Sequence, residues 1–555
     1  MWITFVYPII CNICYTISAM YIRINKQKNK NGSVRQYLQI CRTFRVDNKV
    51  RQQTLCNLGR LEHLLENGSV DNIIEGLAKF SERYFDRIHG QGSSSSVSVL
   101  WTKEFGPVYL FRKVWEKLGL GRLLRKIMDD SEASSQYDEA IFAMVLNRLM
   151  DPNSKHYIFK QWIDTIYAEG LSDIQLHHYY RALDFLSEQK EKIEEQLYGH
   201  LTDLTSLEVD IVFYDTTSTY FEGEEADELL AHYGYSKDHR GDRKQVVIGL
   251  LMTKTGIPIG HQVFPGNMHD TKTFGMVVGD LKKRYPFQKV ILVGDRGMVS
   301  EANLDQIREL GMEYIVGVKL RKSKKAQELL SIRGPYKKVL PNLKVKSKKI
   351  DGETYVLCYN PDAEERDRAS RQVVLENLQS KLDELGPSGL VKNRAYSKFL
   401  TIEKASAKID EEKVSNDEKF DGKYAIRTNS SLTDEEAALA YKELWRVEQA
   451  FRNLKSNLEL RPMYHRVESR IRGHIMVCFL ALVMESFLAY KLKEIGCQTS
   501  VKDILHDVSQ VKASKIRVNG EEQIVRTELQ SQANLAFEAL VTQAPPRVLE
   551  KNTCH

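Results

Sequence analysis

Three acidic side chains in this sequence stand where they can do chemistry: Asp215, Asp295 and Glu448. Asp215 follows the apolar run Ile211, Val212, Phe213, Tyr214 in "VDIVFYDTTSTYFEGEE", and Asp295 closes the apolar run of "VILVGDRGM". A carboxylate ending a buried strand emerges at the sheet's edge on a rigid support. A lone Asp in that position more often forms a turn or caps a helix. Two of them on one sheet call for a cation between them, because like charges repel. Glu448 lies in "YKELWRVEQAFRNLKSNLELRPMYH", where Tyr441, Leu444, Glu448, Arg452 and Lys455 fall at steps of three or four on one helical face. Surface pairing of Glu with Arg is the plainer reading of that face. Trp445, Val447, Phe451 and Leu454 nevertheless give the same helix an inward stripe.

Three oxygen ligands without a matching His or Cys set suit Mg2+, or Mn2+. Two such ions about 3.5 to 4 Å apart activate a water or a 3′-hydroxyl and steady the leaving oxygen of a phosphodiester. Arg446, Arg452, Lys455 and Arg461 would then face phosphates, Arg as a bidentate fork and Lys as a point charge.

The rest of the chain must position these groups. Its 555 residues exceed one ordinary core and suggest three or four units, and 42% hydrophobic with 28% charged residues is an ordinary soluble composition. The net charge of +6 is mild but uneven. Met20 to Arg60 holds ten Lys/Arg against Asp47 alone, and Arg321 to Ile350 holds eleven against Glu328. One such run reads equally as a solvated face; two favour a polyanion, nucleic acid ahead of a membrane surface. The eight cysteines are scattered, and the Cys11/Cys14 pair has no second pair at zinc-like spacing, so a reducing cytoplasm is expected. The uncharged start, Met1 to Ile22, is interrupted by Pro8 and Asn12 and preceded by no basic residue, and reads as an upstream extension of the frame rather than a membrane anchor. "IMVCFLALVM" suits a buried helix rather than a span.

The periodicity predicts an upstream extension (1–19), a basic N-terminal arm (20–95) ending in the Ser-rich linker "QGSSSSVS", and a helical region (96–205). That region is either a helix-turn-helix type DNA reader or a plain bundle. From 206 to 320 the period becomes that of strands: "DIVFYD", "QVVIGLLMT" and "IPIGHQVF" form a meander. A helix from about Thr273 to Arg284, a strand "KVILVGD", a helix and a strand "YIVGVKL" follow. Periodicity alone gives a mixed α/β domain; the element order is that of an RNase H-like sheet. Residues 321–421 read as a charged, β-rich insertion. Residues 422–490 resume the core with "KYAIRTN" and a helix capped by Thr433 and Glu436 that runs to about Lys455, and 491–555 form a tail.

The ordered motifs "YDTTSTYF", "VGDRGM" and "WRVEQAFRNLKSNLELRPMYH" resemble the DDE transposases of bacterial insertion sequences, specifically the IS-four superfamily. Eighty residues separate Asp215 from Asp295, and 153 separate Asp295 from Glu448, leaving room for an insertion. Tyr441 and Lys455 lie seven residues to either side of Glu448, as the family's Tyr, Arg, Glu, Lys signature asks; Leu444 occupies the Arg position. "YGYSKDHRGDRKQ" and "RIRGHI" add to the likeness, which covers about Leu207 to Tyr490.

The resemblance implies an RNase H-like catalytic core with a β-rich insertion and a cut-and-paste or related reaction. Asp215, Asp295 and Glu448 would bind two ions; water would attack the DNA end, and the freed 3′-hydroxyl would attack target DNA. It implies a homodimer on paired ends, terminal inverted repeats bound by the arm and helical region, and a bacterial, nucleoid-associated cytoplasmic enzyme with no membrane partner. Lys237, His239, Arg240, Arg243 and Lys244 would contact DNA near the cleaved end, unless that loop is only a solvated hairpin tip. The competing readings are a metal-dependent nuclease that never joins strands and a non-catalytic DNA-binding relative.

Overall fold

The computed structural model describes residues 20–551, apart from 30–31, 47–48, 79, 81–96, 131–135, 206–210, 224–227, 286–289, 299, 323–325, 386–393, 404–405, 519 and 530. The expected upstream extension and most of the Ser-rich linker lie outside the described residues. Two compact units are present rather than the three or four that length suggests. The smaller contains residues 1–98 with 517–522 and 554–555; the larger contains 99–516 and 523–553.

The segment read as a basic arm is folded. Strands β1 (Met20–Lys28), β2 (Val34–Val46) and β3 (Lys49–Arg60) form an antiparallel sheet followed by the helices Leu61–Glu66 and Ser69–Ala78. Its cations project from strands whose ladder fixes their spacing; Arg23, for example, donates to Gln52 at 3.2 Å across the sheet.

The larger unit begins within β4 (Val97–Glu104), which precedes a series of helices between residues 106 and 205. Helices Tyr137–Met150 and Leu176–Glu188 pack on the helix Glu468–Glu494, forming a bundle around it. Gly473 permits the closest crossing: a Cβ there would come within 2.1 Å of the Leu183 carbonyl oxygen. The apolar stretch expected to be a buried helix lies inside this 27-residue helix. It is the one described helix long and apolar enough to cross a membrane, yet 72% of its apolar window is buried in the fold.

The bundle lies beside a nine-stranded mixed sheet. Its strands are β5 (Ile211–Tyr220), β6 (Gln245–Thr253), β7 (Pro258–Pro265), β8 (Ile291–Gly294), β9 (Glu313–Val318), β10 (Lys337–Leu340), β11 (Leu343–Ile350), β12 (Glu353–Tyr359) and β15 (Lys423–Thr428), with β13 (Leu400–Glu403) and β14 (Ser406–Ile409) forming a separate hairpin. The spatial order is β10-β11-β12-β15-β9-β8-β5-β6-β7. β5, β6 and β7 are antiparallel neighbours, whereas β8 runs parallel to both β5 and β9. Nearly all of β6 is buried, as expected of a strand covered on both faces.

Two expectations change. β5 does not stop at Asp215; it continues through Thr216–Thr219 to Tyr220, because β6 pairs with it along its length from Val212↔Thr253 to Tyr220↔Gln245. Those β-branched and small hydroxyl residues suit a buried strand. The segment 321–421 does not stand apart as a β-rich unit either: β10, β11 and β12 extend the main sheet beyond β15, and β13 and β14 accompany the helix Pro361–Leu385. In β11, Leu343 and Val345 alternate with Lys344 and Lys346, so period two sends apolar and basic side chains to opposite faces.

A buried ion cluster ties the helical region to the sheet. Glu194, fully buried, accepts from Lys190 Nζ at 2.7 Å, Arg284 at 2.8 Å and the His261 backbone N–H at 2.9 Å. Burial pushes its carboxyl up, but Lys190, His261 and Arg284 outweigh that and hold it well below the usual range. We expect Glu194→Ala to destabilise the chain by about 3–5 kcal/mol, because the buried His261 N–H and the half-buried Lys190 would lose their partner and Arg284 would keep only Asp280. A folded value below the unfolded 4.5 means the contribution is present above that pH and lost as acid titrates the group. Denaturant unfolding at pH 7 and pH 4 measures both effects.

Candidate active site

Register brings the first two acids together. β5 and β8 pair in parallel from Ile211↔Ile291 to Tyr214↔Gly294, so Asp215 and Asp295 are the next residues on adjacent strands. β8 ends there while β5 continues along β6, which leaves Asp215 a mid-strand residue open on its β8 side.

A third carboxylate belongs to this group and was missed in the sequence. Asp270 opens the helix Asp270–Arg284 directly after β7, where periodicity placed the helix start near Thr273. Thr216 connects the acids: its N–H donates to Asp215 Oδ1 at 2.7 Å and its hydroxyl donates to Asp270 Oδ1 at 2.7 Å. The first residue of the hydroxyl run thus bonds neighbouring carboxylates, whereas the Ser218 hydroxyl accepts from the Lys237 N–H at 3.0 Å. The signal was an acid three residues beyond the Gly266-Asn267 pair at a strand's end, and it lacked an apolar run pointing to it.

Lys237 lies among these oxygens, with Nζ 3.9 Å from Asp215 Oδ1 and 3.8 Å from Asp270 Oδ2. It donates to the Thr216 carbonyl at 2.6 Å and hydroxyl at 2.9 Å. Burial pushes the Asp215 carboxyl up to about 6; Lys237 and the Thr216 N–H oppose the rise, and Asp295 and Asp270 add to it.

These groups suit a hard cation. A Cβ at Gly297 would sit 3.7 Å from Asp295 Oδ2 and 4.0 Å from Asp270 Oδ2, so the absent side chain leaves a gap walled by carboxylate oxygen. The Lys237 ammonium approaches the same Asp270 Oδ2, at 3.8 Å. Oxygen-only donors of this kind favour a hard divalent cation over softer ions.

Tyr441 reaches the same site from the helix Asp434–Lys442, whose start carries the expected Thr433/Glu436 capping box. Its hydroxyl donates to Asp295 Oδ1 at 3.4 Å, and its ring stacks on Tyr424 at 5.9 Å. The phenol passes directly over β9 at Gly317, where a Cβ would fall 2.3 Å from the Tyr441 oxygen.

The continuous helix expected through Lys455 is broken. Leu444 N donates to Tyr441 O at 3.2 Å and Val447 N to Leu444 O at 3.1 Å, tightening the turn before the helix Trp445–Arg452 and the π-helical turn Asn453–Asn457. The single face from Tyr441 to Lys455 is therefore lost, since the helical phase is reset at Leu444. Leu444 itself is buried and cannot take up a phosphate-binding role. Glu448 is exposed on a helix that packs towards β5 and β6 with Val447, Ala450 and Phe451 buried. Among the described residues, no three acidic, His or Cys side chains converge at metal-binding distance, so Glu448 does not complete a cage with the aspartates in this arrangement.

The basic residues divide into two sets. Lys455 Nζ donates to Asp238 Oδ1 at 2.8 Å, and Arg461 donates to the same oxygen, so both gather beside Lys237. The others are held locally or point outward: Arg240 forks onto Asp242 at 2.8 and 2.9 Å, Arg243 lies 3.3 Å from Glu222, Arg446 pairs with Glu443, and Arg452 is exposed. His239 adopts a left-handed φ of 57° in the loop between them, and the Lys244 carbonyl accepts from the Phe221 N–H at 2.9 Å.

A sequence family described as "Transposase DDE domain" matches residues 210–484, and one described as "IS1634 family transposase, N-terminal domain" matches residues 22–91. No curated protein matches the chain. Among solved structures, "Crystal structure of a pre-cleavage Mos1 transpososome" is 12% identical over 34% of this chain and 57% of that one, with a TM-score of 0.15. "Mos1 transposase paired-end complex with left transposon end" is 14% identical over 42% of this chain and 66% of that one, also at 0.15. The chain therefore spans less than two thirds of either.

Two predictions follow from the site's geometry. Gly317→Ala is expected to cost about 1–3 kcal/mol by overpacking against the Tyr441 phenol. In a Tyr441→Phe background the cost falls, and strictly additive losses in a double-mutant cycle would refute the contact. For Asp215, a folded value of about 6 against 3.8 unfolded means stability is lost as pH rises through 6. Asp215→Asn should match the parent near pH 4 and exceed it above pH 6 by on the order of 1–3 kcal/mol, measured by thermal unfolding in chelator.

Proposed function

The chain belongs to the DDE transposases of insertion sequences, and from that premise we propose that it cleaves the ends of its own element and joins them to target DNA. The observation that carries the reading is the parallel register setting Asp215 beside Asp295, with Asp270 joined to them through Thr216. The order β7-β6-β5-β8-β9, three antiparallel strands and then two parallel ones, supports an RNase H-like core.

Asp215, Asp295 and Glu448 would hold the divalent ions, Mg2+ with Mn2+ as a substitute, and Asp270 would border them. Such ions, when bound, activate the attacking oxygen and stabilise the leaving one. The chain's own groups orient the reactants. Tyr441 steadies Asp295, and Lys237, Lys455 and Arg461 form a cationic border on which a phosphate chain can lie. Tyr441, Arg446, Arg452 and the loop with His239, Arg240, Arg243 and Lys244 would extend those contacts along the duplex. In the first step a water oxygen bonds to phosphorus and the 3′-oxygen leaves as a hydroxyl. In the second, that hydroxyl bonds to a target phosphorus and displaces a target 3′-oxygen. For Glu448 to join the aspartates, the helix Trp445–Arg452 would shift when DNA and ions bind.

The enzyme would act as a homodimer on paired inverted repeats, with the N-terminal sheet and the helical region contributing DNA contacts, in the bacterial cytoplasm at the nucleoid. Asp215→Asn, Asp295→Asn and Glu448→Gln are each expected to lower Mg2+-dependent cleavage of terminal repeats at least 1000-fold, on the order of 4 kcal/mol of activation free energy. DNA affinity should change little. Normal cleavage by any one of the three removes that residue from the site. Cleavage without joining in a strand-transfer assay would identify a nuclease instead.

A further inference from the structure

A second group of buried charges lies outside the carboxylate site. Arg148, Lys155, Arg461, His465 and His474, with Tyr180, line a cavity of about 500 Å3. Lys155 is 4% exposed and Arg148 6%. Arg148 donates to the carbonyls of Asn153, Leu458 and Glu459 rather than to a carboxylate. Lys155 Nζ lies 2.8 Å from His474 Nδ1, and His474 Nε2 is 3.9 Å from the Cys478 thiol. Glu459, the acid on the cavity wall, is exposed. Two buried cations therefore meet no buried anion. Interiors rarely tolerate this, because a buried charge is ordinarily paired.

The cavity and the catalytic group share a side chain. Arg461 lines the cavity and also pairs with Asp238, whose neighbour Lys237 approaches Asp215 and Asp270. An anion held here is thus next to the reacting strand. The volume admits a phosphate with part of its nucleotide, and the donors present (ammonium, guanidinium, imidazole) are those that recognise phosphate oxygens.

We propose that this cavity is a phosphate pocket that seats a backbone phosphate of the DNA strand being processed, beside the one that is cleaved. The proposal rests on the transposase reading above. Burial lowers Lys155 to about 7 and His465 to about 3, so an entering phosphate would restore the charge that burial suppresses.

The test uses the full chain in chelator, so that no cleavage intervenes. Inorganic phosphate at millimolar concentration should raise the melting temperature. Lys155→Met should abolish the phosphate-induced shift. The same variant should bind a labelled duplex of the terminal repeat about 3- to 10-fold more weakly, with a salt-dependence slope smaller by about 1. Lys155→Arg, which keeps the charge, should retain the phosphate shift. If Lys155→Met does not fold, His474→Gln is read by the same two measurements. An unchanged phosphate shift and slope would overturn the pocket. A lost phosphate shift with an intact slope would mean that the pocket takes free phosphate and not DNA, and would overturn the DNA assignment. Asp215→Asn should keep both signals, so failed catalysis alongside an intact pocket response would refute the catalytic reading alone.

Discussion

The arrangement depends on a repulsion that the backbone enforces. Parallel pairing of β5 with β8 fixes Asp215 and Asp295 side by side whatever their charges prefer, and Thr216 adds Asp270 to the group. Hydrogen bonding within the ladder supplies the restraint, because moving either carboxylate away means breaking pairs that extend back to Ile211 and Ile291. Much of the neighbouring structure answers that repulsion: a lysine drawn in from the β5–β6 connection, a tyrosine from a later helix, and a glycine that keeps the gap open. Burial and the neighbouring acids raise the Asp215 carboxyl, so holding it ionised costs stability.

The sequence was legible where a signal was local. Apolar runs ending in Asp215 and Asp295 marked the two central strands, and Thr433 with Glu436 marked a helix start that the structure reproduces. It was illegible where pairing was remote. The apolar run stops at Asp215, and only the pairing with β6 carries the strand on through Thr216–Thr219. Nothing in "KVKSKKI" indicates that β11 belongs to the catalytic sheet, because its position depends on β12 and β15. The break at Leu444 escaped notice because the apolar spacing on either side is helical. Asp270 was missed because its role comes from Thr216, 54 residues earlier in the chain.

The cationic groups show how burial and function compete. Lys455 and Arg461 both pair with Asp238, so on the proposed reading an arriving phosphate would exchange with an internal acid rather than bind a bare cation. Such exchange favours shape over charge, since a misplaced anion gains less than it displaces. Arg240 and Asp242 repeat the arrangement in the exposed loop, where solvent weakens the pairing.

The boundaries of the segment between β9 and β15 have a consequence for the chain's history. Val318 and Ala425 are ladder partners, so the excursion of about a hundred residues starts and ends at one point in space. Closing a longer or shorter loop across such a point changes the free energy only logarithmically with length. Within the excursion, β11 and β12 are tied into the sheet and Tyr359 pairs with Lys423, so the stretch between β12 and β15 is the part free to lengthen, shorten or be exchanged while β9, β15 and Tyr441 keep their places. Spacing along the chain is a weak criterion of kinship here, and adjacency in the sheet is the property that descent would preserve.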